Sequence, residues 1–328
     1  MKSHFLPTQS VAATCAIASA LSMLPGNAGA QSLIAADYAT NSTYGSGWSA
    51  GQNGGYGFGP WSFDGTAATP AGQYQGISTA SALGTSWTLL THDNHAGLAD
   101  VGRAITEPGG LQPGQTLEMV IQNPLGYHFF RGWDIMCMNA TNNNGASTNT
   151  AALRTQLFAY FGTTWDIVDN AGDNDSGIDL TTTGSAGMKF DMTLISTNKY
   201  SVTLTPLSNP SAAYTNIGTL TTNVPINWIN FRLYWGTSSG INDTANNLEV
   251  SSMTISGPTL NIQKSGSNVV LSWMGVLTNF ALMSSSSLGP NAVWAPVSPT
   301  PSLVNGQNVV TNSTLNPAQQ FYRLQLNQ

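Results

Sequence analysis

Lys189-Phe190-Asp191-Met192-Thr193-Leu194-Ile195 and Lys199-Tyr200-Ser201-Val202-Thr203-Leu204-Thr205 stand on either side of Ser196-Thr197-Asn198. Both runs alternate apolar and polar residues and are rich in Phe, Leu, Val, Tyr and Thr. A period of two in bulky residues marks half-buried strands, and the polar triplet between them reads as the turn of a hairpin. The same pattern recurs in both directions. It appears at 116–122, before a turn signal at Gly126-Tyr127, at 157–161 ahead of Gly162, at 165–169, at 229–235 and at 248–255. No long segment carries the 3.6-residue apolar period of a helix. Many short strands separated by Gly, Asn and Ser predict an all-β sandwich or barrel.

Near Gly257-Pro258 the pattern stops and restarts on a smaller scale. Short strands are expected at 259–264, 269–274, 279–284, 293–297, 307–311 and 320–326. Six strands in about seventy residues suit a small sandwich of the fibronectin or immunoglobulin kind, with Trp273 and Tyr322 as its main core residues. The organisation expected is therefore 1–30, 31–257 and 258–328.

Residues 1–30 read as a secretory signal. Lys2 gives a basic start, an apolar stretch runs from Val11 to Leu24, and Ala28-Gly29-Ala30 is a small-x-small cleavage pattern that leaves Gln31 as the first mature residue. The stretch is too short and too interrupted to span a bilayer. Cys15 lies inside it, with Ala12 three positions earlier, which does not fit a lipidation signal. The chain ends at Leu326-Asn327-Gln328 with no apolar helix or basic stop before it. A secreted, extracellular or cell-surface protein without a transmembrane segment is expected.

Only 7% of the 328 residues are charged, while 41% are hydrophobic. The average charged share is about 25%. Such a chain has the bulk for a core and must cover its surface with Asn, Ser, Thr and Gly. Removing the signal takes away one of nine Lys and Arg, so eight face fifteen acids and the mature charge is −7. No basic cluster exists, which excludes a nucleic-acid role and argues against an anionic membrane surface. One cysteine remains, Cys137, within the apolar run 133–138, so no internal disulfide can form. It reads as a buried, inert thiol.

Gly47-Trp48-Ser49-Ala50-Gly51-Gln52-Asn53-Gly54-Gly55-Tyr56-Gly57-Phe58-Gly59-Pro60-Trp61 resembles the opening of a family of exported bacterial proteins that share a pattern close to W-x-x-G-x-N-G-G-x-G-F-x-x-W. The resemblance continues through 97–105, 111–116 and Asp175-Ser176-Gly177-Ile178. The fold it implies is similar to a concanavalin A-like jelly roll over about residues 35–257. Val270-Leu271-Ser272-Trp273, Phe280-Ala281-Leu282, Val304-Asn305-Gly306-Gln307 and Gln320-Phe321-Tyr322-Arg323-Leu324 resemble an accessory module at the end of such proteins. The family has no established activity, so the resemblance implies fold and location rather than chemistry.

Jelly-roll glucanases carry two carboxyls two to five residues apart on one strand, about 5–5.5 Å from each other where the reaction retains configuration. This chain has three glutamates, Glu107, Glu118 and Glu249, and none has a carboxylate two residues away. No such catalytic strand is expected, although an acid pair drawn from separate strands stays open. His92-Asp93-Asn94-His95 has metal-ligating residue types, but its histidines would face opposite ways in a strand and converge only in a turn. The densest acidic stretch runs from Asp169 to Asp179. Calcium takes six to eight oxygens, and Asp169, Asp173, Asp175 and Asp179 in a glycine-containing loop can supply several of them. The alternative is a solvated acidic hairpin.

Aromatic rings and amides remain. Trp48, Tyr56, Trp61 and Asn53 crowd one glycine-rich stretch, and sugar rings stack on exposed aromatic faces while amides bond their hydroxyls. The alternative is that these rings fill the space between two sheets. The expected function is a secreted, non-catalytic protein that binds an extracellular glycan or polymer, with calcium as an assisting ion. Alternatives are a structural, matrix or surface-layer component that contacts other exported proteins, and a glycoside hydrolase with an acid pair from separate strands. A sugar binder should display a Trp or Tyr beside Asp and Asn on a concave face.

Overall fold

A computed structural model describes residues 33–67, 75–89, 97–122, 131–139, 153–160, 164–179, 186–220, 223–235, 247–278, 280–289, 291–313 and 320–326. The expected signal at 1–30, the 92–95 motif and the expected turn at 126–127 lie outside them. The described residues form two units, one ending at Pro258 and one beginning at Thr259.

The first unit is a jelly-roll sandwich of two antiparallel sheets. One sheet runs in the order β13 (Tyr214–Thr219), β12 (Lys199–Pro206), β11 (Met188–Ser196), β6 (Thr116–Gln122), β15 (Leu248–Ser256), β4 (Gly84–Leu89) and β3 (Gln75–Ser81). An eighth strand, β1 (Leu33–Tyr38), pairs with the far end of β15. The other sheet has seven strands: β10 (Gly172–Asp179), β9 (Thr164–Asp169), β8 (Leu153–Tyr160), β7 (Arg131–Met138), β14 (Trp228–Trp235), β5 (Gly97–Ala104) and β2 (Ser62–Ala67).

The hairpin expected over 189–205 is β11–β12, with Ser196 opposite Lys199 and Thr197-Asn198 as the turn. Its alternation has the expected result. Phe190, Met192, Leu194, Tyr200, Val202 and Leu204 are buried in the space between the sheets. From the facing sheet come Val101, Ile135, Leu157, Ile167 and Phe231. Residues opposite one another on neighbouring strands share a face. Val101, Phe231, Ile135, Leu157 and Ile167 therefore form one apolar row across five strands. The residues between them in sequence occupy the other face.

Two elements differ from the expectation. Gly172–Asp179 is a strand rather than a loop, paired with β9 from Gly172↔Asp169 to Asp175↔Asp166. Its bulge absorbs Ser176 and Gly177, the latter with φ of +66°. The polar Tyr214–Thr219 segment is also a strand, at the sheet edge, where one paired neighbour suffices.

The second unit has a four-stranded sheet, β16 (Asn261–Ser265), β17 (Asn268–Met274), β21 (Gln307–Ser313) and β20 (Ser302–Val304), and a three-stranded sheet, β19 (Ala295–Pro296), β18 (Phe280–Ser285) and β22 (Phe321–Leu326). Trp273, Leu271, Leu277, Leu282 and Val310 form its core, and Tyr322 packs against them half-buried.

Candidate functional site

The expected aromatic site divides between surface and core. Tyr56 is 53% exposed, whereas Trp48 and Trp61 are buried at 4% and 2%. The Trp48 and Trp61 rings meet edge to face at 5.0 Å, and Trp61 meets Trp87 at 5.2 Å. Neither indole is available to a sugar, because the sandwich needs both as filler between its sheets. This corrects the ligand assignment for these two residues.

Trp61 and Asn53 belong instead to a polar network inside the sandwich. Arg103, on β5 of the seven-stranded sheet, donates to Asp37 Oδ2 on β1 of the eight-stranded sheet at 2.6 Å, with both side chains fully buried. The same guanidinium donates to Gly59 O at 2.8 and 3.0 Å and to Asn53 Oδ1 at 2.6 Å, and lies 4.4 Å from the Trp61 ring centroid. Tyr44 donates to Asp37 Oδ2 at 2.5 Å and accepts from Gly54 N and Trp61 Nε1. Burial, then its bond to Asp37, holds the Tyr44 phenol above its ordinary pKa. A buried charge pair endures when hydrogen bonds satisfy its remaining donors and acceptors, as they do here. The amide of Asn53 is fully committed, since its Nδ2 donates to Phe58 O at 2.9 Å. The glycine-rich motif allows this approach. A β-carbon on Gly55 would collide with the carbonyl of Ala36, and Gly57 has φ of +74° with Ala35 in the way.

Asp169 is likewise an internal residue, 7% exposed. Its Oδ2 accepts from Tyr200 Oη at 2.8 Å and from Thr219 N at 3.1 Å, and its Oδ1 accepts from Ala171 N at 2.8 Å. Burial, with Asp169 adding to it, raises the Tyr200 phenol far above its usual range. Asp169 therefore bonds across the seam between the sheets, with both carboxylate oxygens engaged by protein donors. Asp173 and Asp175 point from alternate positions of β10, with Asp175 opposite Asp166. Asp179 faces Thr164 beyond the bulge. Burial first, and then Asp173 and Asp175, push the Asp166 carboxyl up to about 6. The Gly177 N–H and the Thr164 hydroxyl hold Asp175 below its ordinary value. Among the described residues no three His, Cys, Asp or Glu side chains gather closely enough to hold a metal. The acidic segment has the form of a hairpin, with one of its four acids taken into the interior. Cys137 is buried, as its apolar setting predicts, with Sγ 3.7 Å from Met192 Sδ.

The arrangement expected of a sugar site appears elsewhere, on the outer face of the seven-stranded sheet. Pairing register puts Asp100, Arg232, Asp134, Asp166 and Asp175 in one row across it. Asp100 Oδ1 accepts from Asn230 Nδ2 at 2.7 Å and from Arg232 Nε at 3.0 Å. Asp100, Asn230 and Asp134 are all at most 5% exposed, while the Arg232 side chain keeps 13%. Two outer-face positions along β14 from Arg232, beyond Asn230, lies half-buried Trp228, packed on Met136 and Met138. Its indole crosses Gly102, where a β-carbon would collide with Trp228 Nε1 and approach Asn230 Oδ1 to 2.7 Å. A half-exposed indole thus adjoins an amide, a carboxylate and a guanidinium. Trp228 lies outside the glycine-rich stretch from which the aromatic site was expected. The available signal is the alternation Trp228-Asn230-Arg232, which puts three polar-edged side chains on one face opposite Ile229-Phe231-Leu233.

An apolar cleft of about 120 Å³ lies among Leu111, Pro113, Leu194, Leu220, Val224 and Ile226. It has no charged lining residue and therefore no acid or base to offer.

No protein-family profile matches the sequence, and no curated protein matches it. Solved structures with some likeness include lectin II from Ulex europaeus, at 11% identity over 60% of this chain and 92% of that one, with a TM-score of 0.36. The exoplasmic/lumenal domain of VIP36, solved with Ca2+ and Man3GlcNAc, is 10% identical over 63% of this chain and 86% of that one, with a TM-score of 0.37. Arcelin-5, a lectin-like defence protein from Phaseolus vulgaris, is 13% identical over 61% and 92%, with a TM-score of 0.38. The sandwich described above stands on its own strand order and register.

Proposed function

We propose that this chain is an exported, non-catalytic protein that binds a glycan on the outer face of its seven-stranded sheet. The observation that carries the reading is the Trp228 indole lying over Gly102 beside Asn230, with the Asp100–Arg232 pair one row away. Trp228, backed by Met136 and Met138, offers an apolar platform to the carbon-hydrogen face of a sugar ring. Arg232, the most exposed of the polar members, donates to hydroxyls. Asp100, itself bonded by Asn230, fixes its direction. A site of this kind, an aromatic platform with a few oriented polar groups, suits a neutral, hydroxyl-rich ligand. No bond-breaking step is assigned to it. Asp100 and Asp134 flank Arg232 on neighbouring strands, and Asp100 is already occupied by two donors.

The test is a glycan screen on the mature chain, followed by titration of the best ligand against Trp228→Ala, Arg232→Gln and Tyr56→Ala. Loss of about tenfold or more for the first two, equivalent to ~1.4 kcal/mol, with Tyr56→Ala unchanged, supports the reading. Unchanged affinity in Trp228→Ala removes it. Absence of any glycan bound at millimolar concentration shifts the function to a structural, matrix or surface-layer role among other exported proteins.

A further inference from the structure

Four polar residues are buried on the outer face of the eight-stranded sheet, at the end where β4, β15 and β6 meet. Ser86 is 0% exposed, and Thr88, Gln122 and Glu249 are each 3% exposed. Glu249 stands opposite Thr88 on one side and Gln122 on the other. Ser86 precedes Thr88 by two residues and so shares its face. Gln122 is partly committed, its Oε1 accepting from Ser81 Oγ at 2.6 Å.

The other three are not satisfied. Glu249 Oε2, Thr88 Oγ1 and Ser86 Oγ have no hydrogen-bond partner. No basic side chain among the described residues pairs with Glu249. Lys189, on the same face, is engaged by Asp191 at 2.8 Å and Glu118 at 3.4 Å. A buried carboxylate without compensation is strongly disfavoured, so a missing partner is implied. Two adjacent hydroxyl oxygens with the same deficit say what kind. An amide donor would satisfy the carboxylate alone, and a bridging water would leave its charge uncompensated. A cation satisfies a carboxylate and two hydroxyl oxygens together.

We propose that Glu249, Thr88 and Ser86 form a binding site for a hard cation, with calcium as its natural occupant. All donors are oxygens, with no imidazole or thiolate among them, which suits calcium and disfavours zinc or copper. Opposed residues on neighbouring strands have β-carbons about 4.5–5.5 Å apart. An ion with oxygen contacts of about 2.3–2.6 Å bridges that span. The site lies on a different sheet from the Trp228 face and does not depend on the glycan reading. It also differs from the acidic hairpin, so the two can be separated by mutation.

The experiment is a thermal melt of the mature chain with excess chelator and with millimolar calcium chloride. Terbium luminescence excited through tryptophan serves as a direct binding readout, since Trp87 lies between Ser86 and Thr88 in sequence. Calcium raises the midpoint and terbium lights up in the wild type. Glu249→Gln, which keeps shape and removes charge, abolishes both. Thr88→Val weakens terbium binding at least about threefold. Asp173→Asn with Asp175→Asn leaves both signals intact. A response that survives Glu249→Gln, or a wild type that responds to neither ion, overturns the proposal. A Glu249→Gln variant that melts higher in chelator than the wild type does in calcium also overturns it, because the buried carboxyl is then a burden that no ion relieves.

Discussion

Tyr200, on the eight-stranded sheet, donates its hydroxyl hydrogen to Asp169 of the seven-stranded sheet at 2.8 Å. The bond closes one edge of the sandwich, and Gly218 makes room for it, since a β-carbon there would collide with both groups. Removing the carboxylate strands a buried phenol and the Thr219 N–H. Asp169→Ala should therefore cost about 3 kcal/mol or more, and Tyr200→Phe about 1–2 kcal/mol. Because the two share one bond, the double variant should fall short of the sum by at least about 0.5 kcal/mol. Urea melts of the four proteins measure all three quantities. Additive losses would mean that the bond contributes nothing across the seam.

Arg103 and Asp37 tie the same two sheets through the interior. Replacing one partner leaves an uncompensated buried charge, so Arg103→Met should lose about 3–5 kcal/mol. Arg103→Lys should recover little, because an ammonium cannot reach Asp37, Asn53 and the Gly59 carbonyl at once or cover the Trp61 ring in the same way. Equal melting of Arg103→Lys and wild type would contradict the fork geometry described for the guanidinium.

Asp166 makes stability depend on acidity in a direction opposite to most carboxylates. Its folded value rises from 3.8 to about 6, mainly by burial and then by Asp173 and Asp175. The folded state therefore holds this proton more tightly than the unfolded chain does. The stability it contributes is full below about pH 4 and is lost as pH rises through 6. The group keeps considerable contact with solvent, so the span is on the order of 1 kcal/mol after screening. Asp166→Asn should melt higher than the wild type at pH 7 and lose that advantage at pH 4. An identical pH profile in the two proteins would show that neither burial nor the neighbouring acids raise the Asp166 carboxyl.

The sandwich was legible in the sequence because burial between two sheets writes itself as alternation. The 116–122, 189–195 and 199–205 runs carry that record clearly. The acidic segment does not, because β10 and β13 are edge strands with little apolar weight, held by the Asp169 contacts from elsewhere in the chain. The aromatic site was harder still. Composition states that Trp48, Trp61 and Trp228 are large, but exposure depends on which face of which sheet each occupies. Trp61 falls on the inner face beneath Arg103, a partner 42 positions away by number. Trp228 falls on the outer face because its strand turns Ile229, Phe231 and Leu233 inward. The polar partners of Asp37, at Tyr44 and Arg103, had no local signal beyond the glycines that let the chain come close.

β1 lies against β15, so the first strand of the unit finds its place only beside the last. A chain made from its N-terminus carries β1 without a partner strand through the synthesis of more than two hundred further residues, with Asp37 unpaired until Arg103 is made. Arg103 arrives early enough to neutralise it, yet the backbone of β1 has no sheet to join until Leu248–Ser256 follows. Assembly of this sheet is consequently a late, whole-chain event with high contact order. The low charge of the sequence makes that wait hazardous, since little repulsion keeps waiting strands from pairing with those of another copy.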